Sequence, residues 1–304
     1  MASQVSAIVV SFNTAPLLER AILSLQRSAS LVQGVEIIVV DNASDDGSAQ
    51  MVRNRFPGVR LVQLTRNVGF AAGTNVGLRM ARAEQLLLFN PDAELIHNAL
   101  PTLSSFLVER PWLAAVGPRL IYPDGSQQDS AFRFPSLGQI FLDYFPIHRR
   151  LLQSRLNGRY ATTDAPLPID HPLGACMLIS RAALEDVGLL DEGFFMYCEE
   201  VDWCMRARLR GWEIYHHPGA VVVHHGGKST EQRGGAMYQQ LHASRARFYE
   251  KHYGRSFRTL ARVISQTGLR REIAHVKRLA KQGALAPERA RERIRACRSL
   301  LAHG

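Results

Sequence analysis

The 304-residue sequence predicts an α/β protein, a mostly parallel sheet flanked by helices, with a helical extension at its C-terminal end. Two observations carry that expectation. Up to residue 95, short β-branched and apolar runs alternate with segments of helical period across tight loops, the pattern of a doubly wound sheet. After Tyr253-Gly254 the composition changes abruptly to Arg-rich sequence with apolar residues at helical spacing. At 46% apolar, the chain can bury a sizeable core.

Residues 5–12, VSAIVVSF, form a β-branched run expected as a buried parallel strand. Ala15–Leu31 places Leu17, Leu18, Ala21, Ile22 and Leu25 at helical spacing, with Pro16 in the first turn. VEIIVV (35–40) is a second strand ending at Asp41, and Asp45-Asp46-Gly47-Ser48 makes a turn and a helix start. Val59–Leu64 is a third strand, Asn67–Arg82 contains a helix, and Glu84–Phe89 is a fourth strand broken by Asn90-Pro91-Asp92. Ala114–Gly117 and Arg119–Tyr122 read as short strands, with a turn at Pro123-Asp124-Gly125. Residues 130–170 have few periodic signals and read as a loop region. Leu173–Ser180 is a strand, Arg181–Val187 a short helix and Glu199–Arg210 a longer one, and Glu213–Tyr215 and Ala220–His224 close the domain as strands. In the tail, Leu260, Val263, Ile264, Ile273, Val276, Leu279 and Ala280 recur at amphipathic spacing, and Pro287 opens a last helix carrying Ile294, Cys297, Leu300 and Leu301.

The net charge of +10 is unevenly placed. Residues 255–304 hold thirteen Lys and Arg against three Asp and Glu, so the tail accounts for all of it and residues 1–254 are neutral. A neutral main domain argues against nucleic-acid binding, which needs a basic groove. Cys176, Cys198, Cys204 and Cys297 form no CxxC pair and read as buried thiols in a reducing compartment. The N-terminal residues lead straight into an apolar strand without a basic region and cleavage site, so no signal peptide is expected, and no window reaches the ~18–20 apolar residues of a membrane span. The expected location is cytoplasmic.

In an open parallel sheet ligands sit beyond the carboxyl ends of the strands. Ser11 and Asn13 follow strand one, Asp41 follows strand two, and Asn90 and Asp92 follow strand four. Carboxylates at two strand ends suit a nucleotide held by base and ribose at one and by its metal-bound diphosphate at the other. Asn90-Pro91-Asp92 also suits a plain turn, and Asp41 a helix cap or Asx-turn. Gly69, Gly73 and Gly77 in NVGFAAGTNVG are not a dinucleotide fingerprint, and strand one has no glycine-rich turn. The stretch GFFMYCEEVDWCMRAR (193–208) packs Glu199, Glu200 and Asp202 beside Phe194, Phe195, Tyr197 and Trp203. Aromatic walls desolvate an acid and raise its pKa toward that of a base near neutrality. An acidic helix start that complements the dipole would explain one or two of these acids.

Together the first strand with SFN, VVDNASDDGS, NVGFAAGTNVG, FNPDAE, GACMLISR, FFMYCEEVDWCMRARLRGW and VVVHHGGKST resemble the family 2 glycosyltransferases of the GT-A fold, particularly the rhamnosyltransferase-like subgroup, from Val5 to about His225. The resemblance implies a GT-A domain over 1–254, with a nucleotide-sugar half (1–95) and an acceptor and catalytic half (96–254), and a basic helical tail over 255–304. It implies that Asp41 recognises the pyrimidine base, that Ser11 and Asn13 lie near the ribose, and that Asn67, Gly69 and Asn90 belong to the donor side. Asp92 stands where relatives carry Asp-x-Asp, so it and His224 would hold Mg²⁺ or Mn²⁺ on the donor diphosphate, with Asn90 replacing the first acid of that pattern; His224 equally suits a partly buried strand-end histidine. Glu200 is the expected base where relatives commonly have Asp, with Glu199, Asp202 and Trp203 on the acceptor side; the longer side chain leaves its neighbours as rivals for the base.

The implied activity is inverting, metal-dependent transfer of a sugar, with rhamnose from dTDP-rhamnose as the leading donor, onto a glycan or lipid-linked saccharide of the cell envelope. The rivals are a UDP-sugar transferase of the same fold and a catalytically silent protein that binds sugar nucleotides or glycans. The tail suits packing on the main domain or on a second subunit in a homo-oligomer, or peripheral contact with the anionic inner face of a membrane, where each nearby Lys or Arg contributes about 1 kcal/mol; a nucleic-acid arm is a third reading that nothing in the main domain supports.

Overall fold

The computed structural model describes residues 5–32, 34–146, 151, 155–160, 164–226 and 234–303. The chain forms two compact units, one of Met1–Arg133, Tyr160–Phe195 and Glu199–Ser229, the other of Phe134–Arg159, Met196–Cys198 and Thr230–Gly304. The compositional boundary after Gly254 falls inside the second unit, between two of its helices.

The first unit is built on β1 (Val5–Ser11), β2 (Val35–Asp41), β3 (Arg60–Gln63), β4 (Gln85–Phe89), β5 (Ala93–Leu95), β6 (Leu113–Ile121), β11 (Cys176–Ser180) and β12 (Glu213–His224), in the order β3-β2-β1-β4-β11-β6-β12-β5. The first four strands are parallel, as their continuous apolar runs predict. β11 runs antiparallel to both β4 and β6, which makes the sheet mixed. Short strands β7 (Gln127–Gln128) and β9 (Leu167–Pro168) pair with β6 and β12, and β8 (Ala131–Phe132) with β10 (His171–Pro172) form a separate two-stranded sheet.

The apolar face of α1 (Ala15–Ala29) buries Leu18, Ala21, Ile22 and Leu25 in the main core. α2 (Ser48–Arg55) follows β2, and α3 (Phe70–Met80) lies close on β1: a Cβ added to Gly77 would meet Ile8 Cγ2 at 2.4 Å. α4 (Ala99–Val108) packs over β6 and β12. In the second half, β6 is one strand where two were predicted, because Pro118 sits within it opposite His217. β12 is likewise continuous across Pro218-Gly219, where the register shifts between His217 and Val221; a bulge absorbs the missing proline donor. The predicted strand 173–180 shortens to β11, followed by α6 (Arg181–Val187) and α7 (Glu199–Leu209).

The second unit is helical: α5 (Leu137–Tyr144), a 3-10 turn at Arg155–Asn157, α8 (Gly234–His252), α9 (Arg255–Lys281) and α10 (Pro287–His303). The predicted 130–170 loop region thus carries β8, α5, the 3-10 turn and β9; its residues 147–150, 152–154 and 161–163 lie outside the described residues, as do 227–230 of the VVVHHGGKST motif. In α9 the buried line runs through Ala261, Gly268, Leu269 and Val276, while Leu260 and Val263 of the predicted stripe are 51% and 56% exposed. Cys176, Cys204 and Cys297 are buried thiols and Cys198 is half-buried. Among the described residues, no helix is long and apolar enough to cross a membrane.

Candidate active site

The carboxyl ends of β1, β2 and β4 carry the predicted donor residues, and their side chains divide into those that shape loops and those left for a ligand. Ser11 is fully buried and shares a hydrogen bond with Thr14 Oγ1 at 2.9 Å. Asn13, in the left-handed region at φ 55°, donates its main-chain N–H to Ser44 Oγ (3.0 Å) and accepts from Asp45 N through Oδ1 (2.9 Å). Both residues tie the loop after β1, and the Asn13 bonds join it to the loop after β2, where Ala43 also has a positive φ of 65°. Such outliers in non-glycine residues cluster where a site fixes its backbone. Asp41, fully buried at the end of β2, accepts from Ser44 N at 3.3 Å through Oδ2, and its Oδ1 has no protein partner. A buried carboxylate oxygen without a donor is costly unless a ligand supplies one.

Asn42 organises the next loop and escaped the sequence reading. Its amide donates to Asn67 Oδ1 (3.0 Å) and Gly69 O (3.1 Å) and accepts from Val68 N (2.9 Å), while Asn67 Oδ1 also takes Gly69 N at 2.9 Å. Gly69 has φ 89° and ψ 172°, a combination open essentially to glycine alone, and a Cβ there would lie 2.4 Å from Phe195 O. Phe70 N donates to the same carbonyl at 2.6 Å. The loop entering α3 is thereby pinned to the aromatic stretch that precedes the acidic helix.

Asn90-Pro91-Asp92 does form a turn, closed by Ala93 N on Asn90 O at 3.2 Å. Within it Asp92 is 4% exposed, and its Oδ1 lies 3.3 Å from His224 Nε2. His224 Nδ1 donates to Gln128 Oε1 at 3.0 Å. This bond orients the ring so that Nε2 faces the Asp92 carboxylate oxygen, the arrangement of an imidazole ligand supported through its other nitrogen. His225 is different: its ring binds Glu94 Oε1 at 2.9 Å and its N–H donates to Asp92 O. Gln128, on the short strand β7, belongs to no motif and was not singled out in the sequence.

The same strand end leads to the acids. Asn90 N donates to Ala175 O at 2.9 Å, and the adjacent Gly174 lies under Glu200, 3.2 Å from a Cβ position to the carboxyl carbon. Burial pushes the Glu200 carboxyl up against the opposing effect of main-chain N–H bonds, including those of Val201 and Gly174, and its Oε2 has no partner. Glu199, buried beside it, is pushed well above the carboxylate range, first by burial and then by the Glu200 charge. Burial thus favours the protonated form of both carboxyls, more strongly at Glu199. The residues just before them, Tyr197 and Cys198, have φ 70° and 67°.

Two of the residues expected on the acceptor side, Asp202 and Trp203, are fully buried. Asp202 is fully buried and paired with Arg206 at 2.9 Å, whose other nitrogens bind Val187 O and Leu189 O. Trp203 is fully buried with Nε1 on Gly188 O at 2.9 Å. Both face inward because α7 packs one side on the α6 segment, where an i,i+4 ion pair and an indole donor satisfy main-chain carbonyls.

A divalent metal fits Asp92 and His224 as a partial shell. Among the described residues, no group of three or more His, Cys, Asp or Glu could hold a metal, and Asn90 brings no charge. One carboxylate and one imidazole suit Mg²⁺ or Mn²⁺ that takes its remaining oxygens from a substrate diphosphate.

Buried strand-end polar groups, the Asp92–His224 pair and the Glu199–Glu200 carboxyls thus lie on one α/β sheet unit. The profile of glycosyl transferase family 2 matches residues 6–188, and the chain belongs to that family. It is 30% identical over 245 residues, 76% of this chain and 78% of the relative, to the N-acetylglucosaminyl-diphospho-decaprenol L-rhamnosyltransferase of Mycobacterium tuberculosis. It is 23% identical over 229 residues, 74% of this chain and 70% of the relative, to the dTDP-rhamnosyl transferase RfbF of Shigella flexneri. The fold is shared with the mannosyltransferase PcManGT from Pyrobaculum calidifontis, solved in complex with GDP-Man and Mn²⁺, at a TM-score of 0.58 and 20% identity over 99% of this chain and 79% of that one. The protein is a glycosyltransferase of the rhamnosyltransferase-like subgroup with the GT-A fold and a C-terminal helical region.

Proposed function

We propose that this glycosyltransferase moves rhamnose from dTDP-rhamnose, with inversion, onto a glycan or lipid-linked saccharide acceptor of the cell envelope. The observation that carries the reading is the meeting of two half-sites on one strand end: Asn90-Asp92 with His224 on one side, and Glu200 on the Gly174–Ala175 segment bonded to Asn90 on the other. The names of the two rhamnosyl-transferring relatives support the donor.

Asp41 Oδ1, buried and without a donor, accepts the pyrimidine N–H. The Asn42–Asn67–Gly69 network fixes the loop that flanks the nucleotide. Asp92 and His224 would hold a divalent cation, which when bound would neutralise the charge developing on the donor diphosphate. Glu200 takes the proton of the acceptor hydroxyl as the new C1–O bond forms, and the C1–O bond to the diphosphate breaks with its electron pair leaving on dTDP.

Thermal-shift and turnover measurements across a nucleotide-sugar panel with Mn²⁺ test the donor. The expected result is stabilisation and turnover with dTDP-rhamnose. Response to UDP-sugars alone overturns the rhamnose assignment, and binding without turnover on any acceptor overturns the transfer.

A further inference from the structure

The charge concentrated in the C-terminal sequence has a destination within the helical unit. Helices α5, α8, α9 and α10 line an open cavity of about 540 Å³, within the range of ~300–1,000 Å³ typical of small-molecule sites. Four guanidinium groups line it, from Arg245, Arg271, Arg278 and Arg293, against two carboxylates, Asp143 and Glu272. Arg245 pairs with Asp143 at 3.1 Å and Arg293 with Glu272 at 3.2 Å, so two of the four are neutralised locally. Arg271 donates to a neutral acceptor, the Tyr144 carbonyl, and Arg278 has no ion-pair partner among the described residues.

The remaining wall is aromatic. Arg293 lies 3.7 Å over the Tyr238 ring, and His242, held by the Tyr144 hydroxyl at 3.2 Å, is lowered to about 4 by burial and is neutral. The cavity thus keeps an excess of two positive charges, carried by planar forks that suit phosphate oxygens, and has no surplus carboxylate to oppose an anion. Arg245 and Arg293 are half-buried in the wall, whereas Arg271 and Arg278 are exposed and border the cavity on its solvent side.

We propose that this cavity is a binding site for a diphosphate group, distinct in its residues from Asp92 and His224. Two sources carry that chemistry, a free diphosphate and the head of a lipid diphosphate. The site stands independently of the donor and of the transfer reaction.

Calorimetric titration of the full chain with inorganic pyrophosphate, in chelator so that no metal supports binding at Asp92, tests it. One equivalent is expected to bind, with affinity reduced at least tenfold in Arg278→Glu and unchanged in Arg262→Glu, an exposed residue of α9 outside the cavity. Nucleoside-diphosphate binding with Mn²⁺ should be the same in both variants, and their melting curves should match the parent protein. Tighter binding of farnesyl diphosphate than of pyrophosphate assigns the site to a lipid diphosphate; equal binding assigns it to the free group. Absence of pyrophosphate binding, or equal loss in Arg262→Glu, overturns the proposal. Equal loss of anionic-vesicle binding in the two variants, without pyrophosphate binding, would instead make the tail a diffuse membrane-contact surface.

Discussion

His224 Nε2 and Asp92 Oδ1 face each other at 3.3 Å, while the far nitrogen of the imidazole is held by Gln128. The pair comes from two elements far apart in sequence, the turn after β4 and the end of β12, which β5 joins through the pairing of Ala93 with His224. Without the Gln128 acceptor the ring is free to rotate or to place its proton on Nε2.

Gln128→Leu is therefore expected to weaken Mn²⁺ binding in the presence of nucleoside diphosphate by about 10–100-fold, the usual effect of losing a supporting partner. Gln128→Glu retains an acceptor and should retain affinity. Electron paramagnetic resonance titration of free Mn²⁺ reads this directly. Equal affinity in Gln128→Leu would show that His224 needs no support or is not a ligand.

Gly69→Ala forces a side chain into a backbone conformation that costs of order 1–3 kcal/mol and onto the Phe195 carbonyl. Urea denaturation should show a loss of at least about 1 kcal/mol, and nucleoside-diphosphate affinity should fall with it. Unchanged stability would mean that the 67–70 loop is not pinned to the Phe195 segment.

Asp202→Ala removes one partner of a buried ion pair and is expected to cost about 3–5 kcal/mol of stability. The acceptor KM of the remaining folded protein should not change. A raised acceptor KM at unchanged stability would return Asp202 to the acceptor side.

Glu199 has a raised pKa in the folded protein, so the native state holds its proton when the unfolded chain has released it. Its contribution to stability is complete below the unfolded carboxylate value and is lost as pH rises toward the folded one. In Glu199→Gln, Tm should decline less than in the parent protein as pH is raised from about 5 to about 8. The rise of kcat/KM with pH, set by Glu200, should stay where it is. Disappearance of that limb in Glu199→Gln would make Glu199 the base.

The first half of the sheet was legible because strand ends follow from chain alternation alone: buried runs fix β1, β2 and β4, and Ser11, Asp41 and Asp92 fall where they stop. The roles of those residues were less legible. Ser11 and Asn13 are expected near the ribose, and the Ser11 hydroxyl and the Asn13 N–H and Oδ1 also hold Thr14, Ser44 and Asp45, bonds that strand position alone does not reveal. Asp202 and Trp203 share a helix with Glu200, and spacing cannot tell which face meets the interior. Gln128 and Phe195 act through partners about 96 and 126 positions away, contacts that exist only once β6, β12 and α3 are assembled. Helix α8 went unread because charged and aromatic residues interrupt any single apolar face.

Single-turnover transfer by Glu200→Gln, at donor concentrations shown by titration to saturate it, tests the central claim most directly. The expected result is donor and Mn²⁺ affinity equal to the parent protein with transfer slowed by about 10²–10⁴-fold, the contribution of a positioned general base. Transfer at the parental rate by saturated Glu200→Gln would contradict it.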